Sequence, residues 1–182
     1  MTAAIEVAGL SRTFEQSGGT MAAPRHVVAV DVAYGELNWR LRNDPRVTVL
    51  ERTNARALDP SALPYTADLI VIDVSFISLT KILGPVLACA AARFDCLALV
   101  KPQFEVGRGQ VGKGGVVREP ALRREALLRV GKAASELGAA VLDYASSGLP
   151  GPKGNLETFV WLGEGERGGV DDLEDAIRKV EP

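Results

Sequence analysis

The sequence predicts an α/β fold: a mainly parallel sheet with helices on both faces and an antiparallel strand at its C-terminal end. Three observations carry that expectation. From residue 26 onward, short β-branched apolar runs alternate with helical patterns, as crossover units require. The run "LIVID" within "DLIVIDVSF" is apolar without alternation, which suits a strand covered on both sides. The last two extended runs are joined by "SGLPGPKGN" and no helix, which suits a closing hairpin.

Taken in order, "VVAVDV" (27–32) is a strand. "GELNWRLRND" (35–44) is a helix, with Leu37 and Leu41 one turn apart. "VTVLE" (47–51) is a strand, and "DPSALPY" a short helical turn capped by Asp or Ser. "DLIVIDVSF" (68–76) is a buried strand. "LTKILGPVLACAAARF" (79–94) reads as a helix despite Gly84 and Pro85, and "CLALVKPQ" (96–103) as a strand. "EPALRREALLRVGKAASELG" (119–138) is a long amphipathic helix, with Pro120 in its first turn and Gly138 past its end. "AAVLDYASS" (139–147) and "ETFVWLGE" (157–164) are strands, and "VDDLEDAIRKVE" (170–181) is a charged terminal helix. Residues 1–25 break the regularity: "IEVAG" suits a strand, and "SRTFEQSGGTMAAPR" reads as loop with a short helix.

The 182 residues fit one domain of ordinary size, and 47% hydrophobic with 24% charged residues suits a globular core. The net charge of -2 gives no global basic field, so any nucleic-acid contact must be local. Cys89 and Cys96 lie in apolar runs and read as buried free thiols, which points to the cytoplasm. One histidine and no cysteine cluster predict no metal site. No apolar run reaches the roughly 18 residues of a membrane span, and no signal peptide is evident.

In an open parallel sheet, ligands bind outside the carboxyl ends of the strands. Asp31 stands at the end of the first regular strand; it is either an acid for ribose hydroxyls or an ordinary cap. Asp73 ends "LIVID", where a carboxylate needs a partner or water. Lys101 ends the "LALV" strand. If Asp73 and Lys101 converge, each charge stabilises the other. Glu157 opens the last strand.

After Lys101 comes a glycine-rich loop. Its "GRGQVGKG" (107–114) nearly matches the phosphate-loop pattern, but Gly114 stands where the magnesium-binding hydroxyl belongs and no helix follows. Nucleotide hydrolysis is therefore not expected. Lys101, Arg108, Lys113, Arg118, Arg123 and Arg124 make the stretch locally basic. It is either a surface for a phosphate backbone or a solvated mobile loop.

"VVAVDVAYGELNWRLRNDPRVTVLERTNAR", "LIVIDVSFISLTKIL", "LVKPQFEVGRGQVGKGGVVRE" and "GPKGNLETFVWL" together closely resemble TlyA-type (hemolysin-A-like) ribosomal RNA methyltransferases. That family sits within the FtsJ-like 2′-O-ribose methyltransferases, and the resemblance covers about residues 26 to 164. It implies a Rossmann-like class I methyltransferase fold and S-adenosyl-L-methionine as the donor. It implies a cytidine 2′-hydroxyl of ribosomal RNA as acceptor, with ribosomal RNA or ribosomal subunits as partners. The family's catalytic set is Lys-Asp-Lys-Glu, onto which Asp73, Lys101 and Glu157 map. Asp31 then holds the cofactor ribose, Asn54 lies near adenine, and Asp73 also borders the cofactor. Arg108, Lys113 and Arg118 are the RNA-binding candidates.

Three features depart from the family. No lysine precedes Lys81, so the first catalytic lysine has no counterpart. A "DVGASTGGFT"-type glycine loop is replaced by "EVAGLSRTFEQSGG", whose bulky residues predict weak cofactor binding. Residues 1–25 are thus expected to be a replaced first strand and cofactor loop, residues 26–182 the methyltransferase domain, and the family's N-terminal RNA-binding domain is expected to be absent. The alternative function is a non-catalytic RNA- or partner-binding protein that keeps the fold.

Overall fold

The computed structural model describes residues 4–16, 19–151 and 153–181, with backbone alone at 4–16, 19–24 and 108. In chain order the elements are β1 (Ala4–Gln16), β2 (Gly19–Val30), α1 (Trp39–Arg42), β3 (Val47–Leu50), β4 (Ala67–Asp73), α2 (Leu83–Leu87), β5 (Ala90–Val100), α3 (Pro102–Glu105), α4 (Pro120–Glu136), β6 (Ala139–Pro150), β7 (Leu156–Glu164) and α5 (Leu173–Val180).

The strands form one sheet in the order β3-β2-β1-β4-β5-β7-β6. Strands β2 to β6 share one direction, while β1 and β7 run against them. The last strand is antiparallel, as expected, but it lies inside the sheet; β6 takes the edge.

Alternation along the strands sends one set of side chains into a single core. Val28, Val30, Ile70, Ile72, Cys96, Ala98, Val100, Val160 and Leu162 are all buried in it. On this face α4 lays down a stripe of Ala126, Val130 and Ala134 at four-residue spacing, α2 adds Leu83 and Val86, and α5 adds Ala176 and Ile177. Each large aliphatic side chain contributes about 1.5–3 kcal/mol. The opposite face is more open: paired Leu97 and Trp161 remain 36% and 37% exposed. The chain end is locked by an ion pair between Arg123 of α4 and Glu181, at 2.6 Å and nearly buried.

Three elements differ from their sequence reading. Residues expected to be loop and short helix before residue 25 form the hairpin of β1 and β2. The helix expected over 79–94 is cut short: α2 ends at Leu87, and Ala90 to Phe94 open β5. Alanines carry little periodic signal, and pairing with β4 (Ala67 N donates to Cys89 O at 2.9 Å) decides their state. The helix expected over 35–44 shrinks to Trp39–Arg42, because the Asn38 side chain caps it by accepting from Arg40 N.

The direction of β1 matters for the site. Its first residues, Ala4 and Ile5, pair with Asp73 and with Ile72 and Val30, at the edge where the parallel strands end. Its end, Gln16, pairs with Gly19 at the start of β2, at the far end of the sheet. Of the segment set against a cofactor loop, residues 13–16 and 19 therefore lie at the far end of the sheet from Asp31 and Asp73, while its first residue, Glu6, pairs with Ala29 and Val71, two residues from each.

Candidate active site

Two neighbouring strands deliver a charge pair to one edge. β4 ends at Asp73, and β5 ends one residue before Lys101. Their parallel register aligns these ends, and Lys101 Nζ lies 2.6 Å from Asp73 Oδ1. Nζ also donates to Ser75 Oγ at 3.3 Å. The lysine side chain is 13% exposed and the aspartate 56%, so the ammonium is held against the protein while the carboxylate faces water. Pro102 follows at the first position of α3, so the chain turns away at once and leaves Lys101 at the strand tip.

Two cavities meet at Ser75. The smaller, about 140 Å³, is lined by Val30, Asp31, Thr53, Asn54, Ile77 and Ile82 among others. Asp31 is fixed there: its carboxylate accepts from Ala33 N at 2.8 Å, and its carbonyl accepts from Thr53 N at 2.9 Å. Asn54 caps the turn 55–57 by accepting from Arg56 N, which leaves its amide NH₂ available to a ligand. An acid, an amide and apolar walls are the groups a nucleoside needs for its ribose diol, base edge and base face.

The larger cavity, about 380 Å³, is lined by Lys101, Gln103, Phe104, Lys153, Asn155 and Glu157, with Ser75 and Phe76 on its rim. Glu157 is 8% exposed, and the Gln103 amide reaches its Oε1 at 3.4 Å. A Cβ at Gly151, in the turn beside it, would sit 2.5 Å from Glu157 Oε1, so a larger residue there would push this carboxylate aside. Lys101 and Glu157, far apart in sequence, thus face one space, while Asp31 and Asn54 face the other. Asp73 stands outside the lining of both and touches the site through Lys101.

The glycine-rich loop is one wall of the larger cavity, through Val111 and Gly115. Asn155, 3% exposed, ties it down: its Oδ1 accepts from Val117 N and its Nδ2 donates to Gly115 O, both at 2.9 Å. Arg123 donates to the carbonyls of Val117 and Arg118. The loop is a fastened wall, although its composition suggested mobility. Lys113 and Arg118 are exposed on it and do not line the cavity; the Arg108 side chain lies outside the described residues.

Sequence reasoning missed Phe76, Lys153, Asn155 and Glu105. Phe76 is 74% exposed, stands at φ 66, and packs its ring 5.2 Å from that of Phe104. A bulky residue at positive φ is an outlier of the kind that collects at functional sites. A lone aromatic in "DVSFIS" gives no signal of that backbone. Glu105, 4% exposed, accepts from Ser78 Oγ at 2.6 Å and Leu79 N at 2.7 Å, bracing the chain after Ser75 against α3. Burial pushes its carboxyl above the ordinary value, against those hydrogen bonds and the charges of Arg129 and Lys81. Burial likewise pushes the Cys96 thiol up to about 12, which makes it an inert core residue.

The FtsJ-like methyltransferase family model matches residues 10–164. Among curated relatives, the 16S/23S rRNA (cytidine-2′-O)-methyltransferase TlyA of Mycobacterium tuberculosis is 53% identical over 157 residues, covering 85% of this chain and 59% of that one. Hemolysin A of Brachyspira hyodysenteriae is 36% identical, covering 73% of this chain and 56% of that one. The crystal structure of a hemolysin-named protein from Lactococcus lactis superposes with a TM-score of 0.79 at 35% identity, covering 86% of this chain and 77% of that one. The chain thus spans less than two thirds of the length of these curated relatives. The match runs through every strand that supplies the site, and the chain belongs to the FtsJ-like methyltransferase family.

Proposed function

We propose that this chain is a S-adenosyl-L-methionine-dependent methyltransferase acting on a cytidine 2′-hydroxyl of ribosomal RNA, free or in ribosomal subunits. One observation carries the reading: the Lys101 ammonium is held 2.6 Å from Asp73 at the strand ends, on the wall of a cavity that opens beside the nucleoside-type cavity at Asp31. The similarity to a cytidine-2′-O-methyltransferase supports the choice of acceptor.

The smaller cavity suits the nucleoside end of the donor, with Asp31 on the ribose diol and Asn54 at the base. The donor supplies a methyl group on a positively charged sulfur, open to attack in line. The acceptor oxygen bonds that methyl as its bond to sulfur breaks, and the hydroxyl proton leaves. A ribose hydroxyl is a poor nucleophile at neutral pH, so a group beside it must hold or take that proton. Lys101 Nζ is placed for this: as the neutral amine it takes the proton from the oxygen and becomes the ammonium that Asp73 holds. Asp73 and Ser75 fix its direction. Glu157, braced by Gln103, orients the acceptor from the other wall. Methyl transfer is then largely a matter of alignment, which the rigid strand ends provide. Phe76 offers a flat, exposed ring at the rim for a nucleotide base to stack on.

The test is transfer of labelled methyl to ribosomal RNA, followed by digestion to nucleosides. Label in 2′-O-methylcytidine is expected. RNA binding without transfer would favour a non-catalytic RNA-binding protein and overturn the reading.

A further inference from the structure

We infer that Lys153 is the phosphate-binding residue of the acceptor cavity, receiving the backbone phosphate next to the ribose being methylated. This rests on the methyltransferase reading above. The cavity has two lysines on its wall, Lys101 and Lys153. Lys101 is already engaged by Asp73 and Ser75 and is held at the strand tip. Lys153 is exposed and makes no ion pair among the described residues, so its charge is open to a ligand.

Its mounting is fixed although its tip is free. The turn that carries it is closed by Gly151 N donating to Asn155 O at 2.8 Å and by Gly154 N donating to Gly151 O at 2.7 Å. Asn155 then fastens the turn to Gly115 and Val117 of the facing loop. The Lys153 chain lies along Gly115, whose missing Cβ would stand 3.9 Å from both Cδ and Nζ. Gly115 itself adopts φ 83, which a larger residue resists. The ammonium is thus presented over a stretch of bare backbone, where a phosphate can approach closely.

The charges decide which part of an RNA goes where. Glu157 shares the wall and repels an anion, so it suits the ribose hydroxyls and not the phosphate. A nucleotide whose 2′-oxygen lies at Lys101 carries its 3′-phosphate on the adjoining carbon. The one uncommitted cation on the cavity wall among the described residues is then Lys153. Its work is positioning: it binds the ground state and the transition state alike, through a group that does not react.

The experiment compares the native chain with Lys153→Ala and Lys153→Arg. It measures affinity for a short cytidine-containing single-stranded RNA across a salt series, with donor affinity and methyl transfer in parallel. Lys153→Ala is expected to bind RNA about fivefold more weakly, with the log-log salt slope smaller by about 0.7, the value for one phosphate contact on a single strand. KM for RNA rises similarly while kcat and donor affinity stay near native, and Lys153→Arg restores the slope. Unchanged affinity and slope in Lys153→Ala, with native RNA binding intact, overturns the assignment and leaves the methyltransferase reading standing. If the native chain neither binds nor methylates RNA, both fall together.

Discussion

Replacing Asn155 by alanine tests whether the glycine-rich loop is a built wall or a free strap. The side chain makes two hydrogen bonds of 2.9 Å, accepting from Val117 N and donating to Gly115 O, at a site only 3% exposed. Val117 is itself 2% exposed, so water cannot easily take over its N–H. A typical hydrogen bond contributes about 1 kcal/mol net, and a buried donor left unpaired costs about 1–3 kcal/mol. Gly115 O is more accessible and recovers some of its loss from water. Asn155→Ala is therefore expected to lower stability by about 2–3 kcal/mol, read from denaturant midpoints at unchanged slope. Two local effects should accompany it. The Val117 amide should exchange with solvent much faster, and KM for RNA should rise because Gly115 and Val111 no longer hold the cavity wall. Native stability together with native exchange at Val117 would show that the clamp does not hold the loop, and the account of the cavity would fail with it.

Other perturbations probe other links. Gly131→Ala should destabilise by about 1–3 kcal/mol through overpacking, although alanine is the better helix former, because its Cβ would collide with the Tyr144 hydroxyl. Tyr144→Phe in the same background should recover most of that loss, and thermal melts that show no recovery would refute the collision. Burial raises the Glu105 carboxyl in the folded state, so the folded protein keeps a proton that the unfolded chain has lost. Stability should then fall as pH rises from the ordinary value of 4.5 towards the folded one; Glu105→Gln should abolish that fall, and superimposable urea midpoints for the two across this window would contradict it. Phe76→Gly should leave stability undiminished, since glycine accepts φ 66 without strain, yet lower kcat/KM for RNA by about tenfold if the ring stacks a base. Unchanged kinetics would remove Phe76 from the substrate path.

The sheet and the charge pair were legible because they rest on strong, local signals. "LIVID" and "LALV" are unambiguous strands, and a charged residue at the tip of each needs a partner, so Asp73 and Lys101 point to one another. The position of α4 was legible from its length and from Pro120 and Gly138. What stayed hidden depends on tertiary pairing. Ala90 to Phe94 have no period that separates strand from helix, and only β4 settles them. The reversed course of β1 leaves no mark in composition, so nothing in the sequence shows that the segment at 6–19 runs from beside Asp31 and Asp73 to the far end of the sheet. Asn155 and Lys153 were hidden differently. Both lie in "GPKGN", a stretch that reads simply as a turn, and their importance appears only when loop 106–117 is brought alongside.

The central claim is that Lys101, held by Asp73, handles the proton of a ribose hydroxyl, and the direct measurement is methyl transfer by Lys101→Ala and Lys101→Arg beside the native chain. Asp73 is more than half exposed, so leaving it unpaired costs little, about 1 kcal/mol or less, and both variants should fold and bind donor as the native chain does. The native chain should place label in 2′-O-methylcytidine. Lys101→Ala should place none, and Lys101→Arg should also fail, because a guanidinium stays protonated and its planar fork does not fit the place of Nζ. Transfer at near-native rate by either variant, or label on the base instead of the 2′ oxygen, would contradict the account.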